Sequence, residues 1–168
     1  MRNVTITVTN IQTGTAHLTS YPHRPSGILY SVPLYRVTVS GTDNAGKAIT
    51  ENFSAIRFGV YRSETVSAHM VGLSDYQTHT LTWGNITTMS GNAWRVYAGF
   101  FIHQGPANPL GGTFGSIGCI EITGPGKWAE FNQLILRLAD CTSEAEVSTN
   151  RLLSATYLAA TKPALTKV

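Results

Sequence analysis

Two side chains able to pass a proton between them, a histidine and a cysteine, bracket a loop rich in glycine and proline in this 168-residue chain. His103 follows an aromatic and apolar run, Ala98 to Ile102, that reads as a buried strand. The chain then runs through Gln104-Gly-Pro-Ala-Asn-Pro-Leu-Gly-Gly-Thr-Phe-Gly115 and arrives at Ser116-Ile117-Gly118-Cys119-Ile120. A cysteine on a glycine turn can stand exposed as a nucleophile, and a histidine upstream can take its proton. Such a base is needed because a free thiol ionises only near pH 8.5. Gly118 permits a tight turn and leaves the neighbouring amides uncrowded, as an oxyanion site requires. The competing readings are plain ones: a small hydrophobe buried in a strand for Cys119, a strand-end ring bonded to a carbonyl for His103. The glycine turn and the upstream base favour acyl transfer.

Other chemistries fit less well. All five histidines (His17, His23, His69, His79 and His103) precede Cys119. An endopeptidase of the papain type places its base after the nucleophile, so that class is excluded unless another base serves. A zinc site from His69, His79, His103 and Cys119 matches none of the usual ligand spacings, and no metal is expected. Gly112-x-x-Gly-x-x-Gly118 lacks the Lys-Ser/Thr ending of a phosphate loop and leads into a strand, so no nucleotide cofactor is expected either. Arg57, Arg62 and Arg95 read as solvated strand residues.

The order histidine, loop, then Ser-x-Gly-Cys and an aliphatic residue resembles the L,D-transpeptidase (YkuD-type) catalytic domain over residues 94–122. The resemblance implies a β-sandwich or sheet, with Cys119 attacking a peptidoglycan stem peptide, His103 as base, and the Gly118 and Cys119 amides holding the oxyanion. It implies that the carbonyl of Gln104 or Gly105 orients the imidazole, and that Ser116 steadies the loop or bonds substrate. Two positions depart from the family. Ile117 stands where histidine is usual, and Glu121 where arginine or asparagine is usual. A carboxylate at Glu121 would repel a substrate carboxylate by about 1 kcal/mol or more at short range. That favours trimming or exchange of the terminal D-amino acid over cross-linking. Small members of this kind include antibacterial effectors carried by a secretion-system spike or tube component and paired with an immunity protein. The alternatives are a non-enzymatic β-rich binding module and a housekeeping cross-linking L,D-transpeptidase.

The elements that must position these residues are mostly strands. One domain over residues 1–168 is expected, large enough for its own core. Charged residues are only 12% of the chain, with a net charge of +3 and no basic run, which gives no reason to expect nucleic acid. Met1 to Thr9 alternates apolar and polar residues, which reads as a strand and not a signal peptide, so a soluble chain made in the cytoplasm is expected; the resemblance implies action in a target cell's periplasm. No apolar run reaches membrane-spanning length. Further strands are expected at Leu34 to Val39, about Ile49 to Tyr61, Leu81 to Ile86, Trp94 to Ile102 and Cys119 to Ile122, with Gly41 to Gly46 as a hairpin connection. Trp128, Phe131, Leu134, Ile135 and Leu138 form the apolar face of one clear helix after the cysteine strand. Ser143 with Glu146 reads as a capping box. Past Leu153 helix and strand are equally compatible, and the end near Lys162-Pro163 reads as frayed. The fold class expected is α+β, a β-rich single domain. Cys141, just after the helical pattern, reads as an inert thiol.

Overall fold

The computed structural model describes residues 1–21, 28–62, 65–66, 77–86 and 91–168, so His23, His69 and Asp75 lie outside the described residues. Among the described residues the domain is β-rich, with two helices, in keeping with an α+β class. β1 (Val4–Thr19) and β2 (Tyr30–Thr42) form a long antiparallel pair, bulged between Val8 and Gly14. Both are far longer than their alternating cores suggest, because the bulges switch which face is buried. Val4, Ile6 and Val8 face one apolar cluster, and Ala16 and Leu18 face another.

β2 passes to β3 (Ala48–Ile56) through a tight turn. The Asp43 carboxylate accepts the Ala45 and Lys47 amides, each at 2.9 Å, which fixes the expected hairpin. β3 stops at Ile56 and does not run on to Tyr61. Arg57 turns inward there, and β4 (Val60–Tyr61) pairs separately with β5 (Thr65–Val66).

β6 (Thr78–Thr80) and β7 (Thr82–Asn85) are separated by Leu81 alone. Yet β6 pairs with β12 (Leu153–Tyr157) while β7 pairs with β8 (Asn92–Tyr97). These are the opposite ends of the path β6-β12-β1-β2-β3-β11-β9-β8-β7, so the sheet curls back on itself at Leu81. Leu81 is buried and donates its amide to Leu153 O at 2.9 Å. The enclosed core includes Ile6, Val37, Phe53, Trp94, Ile102, Ile120 and Tyr157.

The apolar run through Ala98 is not one strand. It is a hairpin of β8 and β9 (Phe100–Gln104), turning at Ala98 and Gly99 with Ala98 at φ 49°. Both arms are apolar, which hides the turn from a pattern reading. β10 (Thr113–Phe114) pairs with β1, and β11 (Ile120–Ile122) lies between β9 and β3.

α1 (Lys127–Ala139) buries the expected stripe, Phe131, Leu134, Ile135 and Leu138. It is docked by a polar contact within the core, Trp94 Nε1 donating to Asn132 Oδ1 at 2.8 Å. α2 (Glu144–Thr149) is capped by Ser143, whose hydroxyl accepts the Glu146 amide at 3.1 Å. Glu146 reaches back to the Thr142 amide at 2.7 Å, one residue earlier than in the standard box. Past Leu153 the chain is a strand, β12, parallel to β1. The terminus is not wholly frayed, since β13 (Thr166–Lys167) pairs with β2 at Ser31 and Tyr30. No helix is long and apolar enough to cross a membrane, among the described residues.

Candidate active site

β9 and β11 are parallel neighbours with Ile102 opposite Ile120, His103 opposite Glu121 and Gln104 opposite Ile122. The isoleucines enter the core, and strand alternation puts His103 and Glu121 together on the other face. That row continues to Ile56 on β3, part of the second apolar cluster. Extending the register by one residue sets Cys119 opposite Phe101, diagonal to His103.

His103 is only 3% exposed. Its Nδ1 lies 2.8 Å from the Gln104 carbonyl oxygen. A carbonyl can only accept, so Nδ1 carries the hydrogen and Nε2 is left with its lone pair. Nε2 is buried and has no hydrogen-bond partner among the described residues. Burial lowers the pKa of the ring, against a smaller upward pull from the Gln104 carbonyl, so the imidazole is neutral at neutral pH. A neutral ring with one nitrogen fixed and the other open is the form a general base requires.

The Cys119 thiol is half-buried and lies 3.9 Å from the Gly99 carbonyl oxygen. Burial pushes its pKa up. The Phe101 amide and Ser116 hydroxyl pull it down, and Glu121 adds to the upward push. No hydrogen bond joins Cys119 to His103 among the described residues; such contacts are often long before substrate binds. Cys119 also adds to the upward shift of the deeply buried Tyr157 phenol, whose main cause is desolvation.

Ser116 organises the turn before the cysteine. Its hydroxyl donates to the Cys119 carbonyl at 3.1 Å and accepts the Gly118 amide at 3.3 Å, while its own amide donates to Glu121 Oε2 at 3.2 Å. Gly118 sits at φ 135°, where a side chain would be strained. Two expectations change here. The Gly118 amide is already engaged by Ser116, so it is not an open oxyanion donor. Glu121 is 6% exposed and lies beneath the loop, so it does not face substrate as expected.

Gln104 and Gly105 border an open groove of about 410 Å3, with His103, Asn92, Ile86 and Trp128 among the other walls. His103 is among the residues that line the groove, and Cys119 is not. Gly105 is there for close approach. Its amide donates to Ile122 O at 2.8 Å, and a Cβ would lie 2.8 Å from that oxygen and 3.0 Å from the Glu121 Cβ. Gly105→Ala is therefore expected to destabilise the fold by about 1–3 kcal/mol, read as a lower thermal unfolding midpoint. An unchanged midpoint would show that the β9–β11 end yields freely.

The sequence reading missed Arg57. It is 1% exposed, with Nη1 donating to Thr9 O at 2.7 Å and Nη2 to Leu158 O, and its guanidinium lies over the rings of Phe58 and Tyr157. A lone cation inside Ala55-Ile-Arg-Phe-Gly-Val60 was the available signal, because a solvated arginine seldom sits in an unbroken apolar run. Arg62 and Arg95 are exposed, as expected. Cys141 is free, its thiol 3.7 Å from the Ala139 carbonyl oxygen. Among the described residues no three His, Cys, Asp or Glu side chains are grouped to hold a metal ion. Comparison with protein families, curated proteins and solved structures found no match to this chain.

Proposed function

We propose that this protein is a cysteine acyl-transfer enzyme that removes or exchanges the terminal D-amino acid of peptidoglycan stem peptides, an L,D-carboxypeptidase or exchange-type L,D-transpeptidase. The observation that carries the reading is the buried neutral imidazole of His103, with Nδ1 fixed by the Gln104 carbonyl and Nε2 open, on the strand paired with the one that begins after Cys119. On this reading Nε2 takes the Cys119 proton, and the thiolate adds to the carbonyl of the L-centre bonded to D-alanine. The Cys119 amide faces the oxyanion; the Gly118 amide joins only if its 3.3 Å bond to Ser116 yields. The imidazolium returns its proton to the departing amine as the C–N bond breaks. Water or a free D-amino acid, deprotonated by His103, then releases the acyl group from sulfur. The groove bordered by Gln104 and Trp128 supports the reading by giving a peptide a place beside the base.

The test is mass analysis of purified tetrapeptide muropeptides after incubation with the protein. Loss of one D-alanine, or its replacement by an added D-amino acid, is the expected result; an unchanged profile would sink the reading. His103→Ala is expected to reduce turnover by about 10³-fold or more, since base and nucleophile act as a unit. A variant that keeps most of its turnover would move the base to His79. That ring packs against Tyr97 at 5.8 Å and also has a buried Nε2 without a partner among the described residues.

The proposal includes a role as an antibacterial effector, reaching the periplasm of a target cell with a secretion-system component and blocked at home by an immunity protein. The support is chemical: the substrate proposed lies outside the cytoplasm.

A further inference from the structure

We propose that Glu121 is a positioning residue, a latch that holds the nucleophile's turn against the base's strand through the Ser116 amide. The inference rests on the reading of Cys119 as nucleophile and deepens it. Three observations converge. Glu121 Oε2 accepts the Ser116 amide at 3.2 Å, and Ser116 is the residue whose hydroxyl ties down both Gly118 and the Cys119 carbonyl. Glu121 is directly opposite His103 in the β9–β11 register, so latch and base share one face. The loop is closely seated on the carboxylate, since a Cβ on Gly115 would lie 3.3 Å from Oε2 and 3.1 Å from Leu18.

A carboxylate in this place does what a neutral side chain cannot. When ionised it accepts the Ser116 amide through a charge-assisted bond, and when protonated it is a weaker acceptor. The titratable groups beside it are His103 on β9 and Cys119 on the turn. β3 meets it with Ile56, and the Gly115 and Leu18 side is uncharged. Burial lifts its carboxyl to about 7, against a downward pull from the Ser116 amide, so the latch changes strength near neutrality. The seating of the thiol then follows the charge on Glu121 as well as that on His103.

The experiment uses the full chain with Cys141→Ala, which leaves one thiol, and compares it with added Glu121→Gln or Glu121→Ala. Exchange of the Ser116 amide with deuterium reads the latch, and the pH profile of iodoacetamide labelling at Cys119 reads its effect on the thiol. Glu121→Ala is expected to speed Ser116 exchange about tenfold, the loss of one hydrogen bond, while Glu121→Gln keeps an acceptor and rescues most of it. The labelling profile is expected to show an inflection near pH 7 that Glu121→Gln removes. Equal Ser116 exchange in all three proteins, or the same inflection in Glu121→Gln, would overturn the latch. If Glu121→Ala fails to fold, the inflection lost or kept in Glu121→Gln decides alone. Muropeptide turnover by the parent chain judges the functional reading separately. Turnover with no latch signature sinks only this inference, and a latch signature without turnover sinks only the activity.

Discussion

Cys119→Ala is expected to abolish D-alanine release, by at least about 10³-fold, and to leave the thermal unfolding midpoint almost unchanged. The thiol is half-buried, and its only sulfur-donated contact among the described residues is the long one to the Gly99 carbonyl, so losing the sulfur is expected to remove the nucleophile and little packing. Cys141→Ala is expected to change neither quantity, because that thiol sits past the end of α1 against the Ala139 carbonyl, where burial and then the Glu146 charge push its pKa up. The same contrast should appear in cells. Fused to a periplasmic leader, the unaltered chain is expected to cause swelling or lysis, and the Cys119→Ala form is expected to be harmless. Equal loss of turnover in both cysteine variants with normal folding would overturn the single-nucleophile mechanism. Toxicity that persists in Cys119→Ala would point to a mode of action that is not acyl transfer.

Stability should depend on pH through Glu121, with a sign opposite to that of an ordinary surface carboxylate. Its carboxyl ionises at about 7 in the folded state, against 4.5 for an unperturbed group, because burial penalises the charge. Between those values the folded chain holds a proton that the unfolded chain has released. The contribution is therefore fully present below about pH 4.5 and is lost as the pH rises through 7, a change on the order of 3 kcal/mol. His103 works the other way. Its lowered pKa makes the neutral ring stabilising at high pH, and that stability is lost on acidification. Urea unfolding of the unaltered chain and of Glu121→Gln, each followed from pH 4.5 to 8, isolates the part of the pH dependence that requires the Glu121 carboxyl. Glu121→Gln is expected to gain relative to the unaltered chain as the pH rises. Parallel stability curves would mean that Glu121 ionises like an exposed carboxylate, and the buried geometry would be wrong.

How far the sequence carries depends on the kind of contact. Helix α1 was legible because five apolar residues at helical spacing leave few alternatives, and the Asp43 turn because its side chain bonds its own backbone. The placement of His103 near the end of a strand and of Cys119 just after a positive-φ glycine was legible from the apolar run and the glycine turn. What a local pattern cannot contain is pairing at a distance. The hairpin at Ala98 was hidden by apolar arms of equal character, and β12 gave no sign that β1 would be its neighbour. Arg57 looked like a surface residue because its partners, the carbonyls of Thr9 and Leu158, come from segments far away in the chain. Glu121 was read as a substrate contact for the same reason. Its burial depends on a loop that returns over it from Gly115 and Ser116.

The single residue Leu81 between β6 and β7 has a consequence for how the molecule comes into being. β1 is made long before its parallel neighbour β12, which is complete only at Tyr157. Until then β6 lacks its strand partner among the described residues, and the Val4 to Val8 edge of β1 stays open. The contacts that seal the sheet thus span most of the chain, and such long-range pairing is slow to form and exposed to wrong partners while it waits. The Ser116 to Cys119 turn is held by Glu121 on β11 and lies against the Gly99 carbonyl before β9, both made before β12. The Cys119 turn can therefore be seated on a nascent chain before the sheet has closed, and the synthesis of β12 governs when the closed sheet surrounds it.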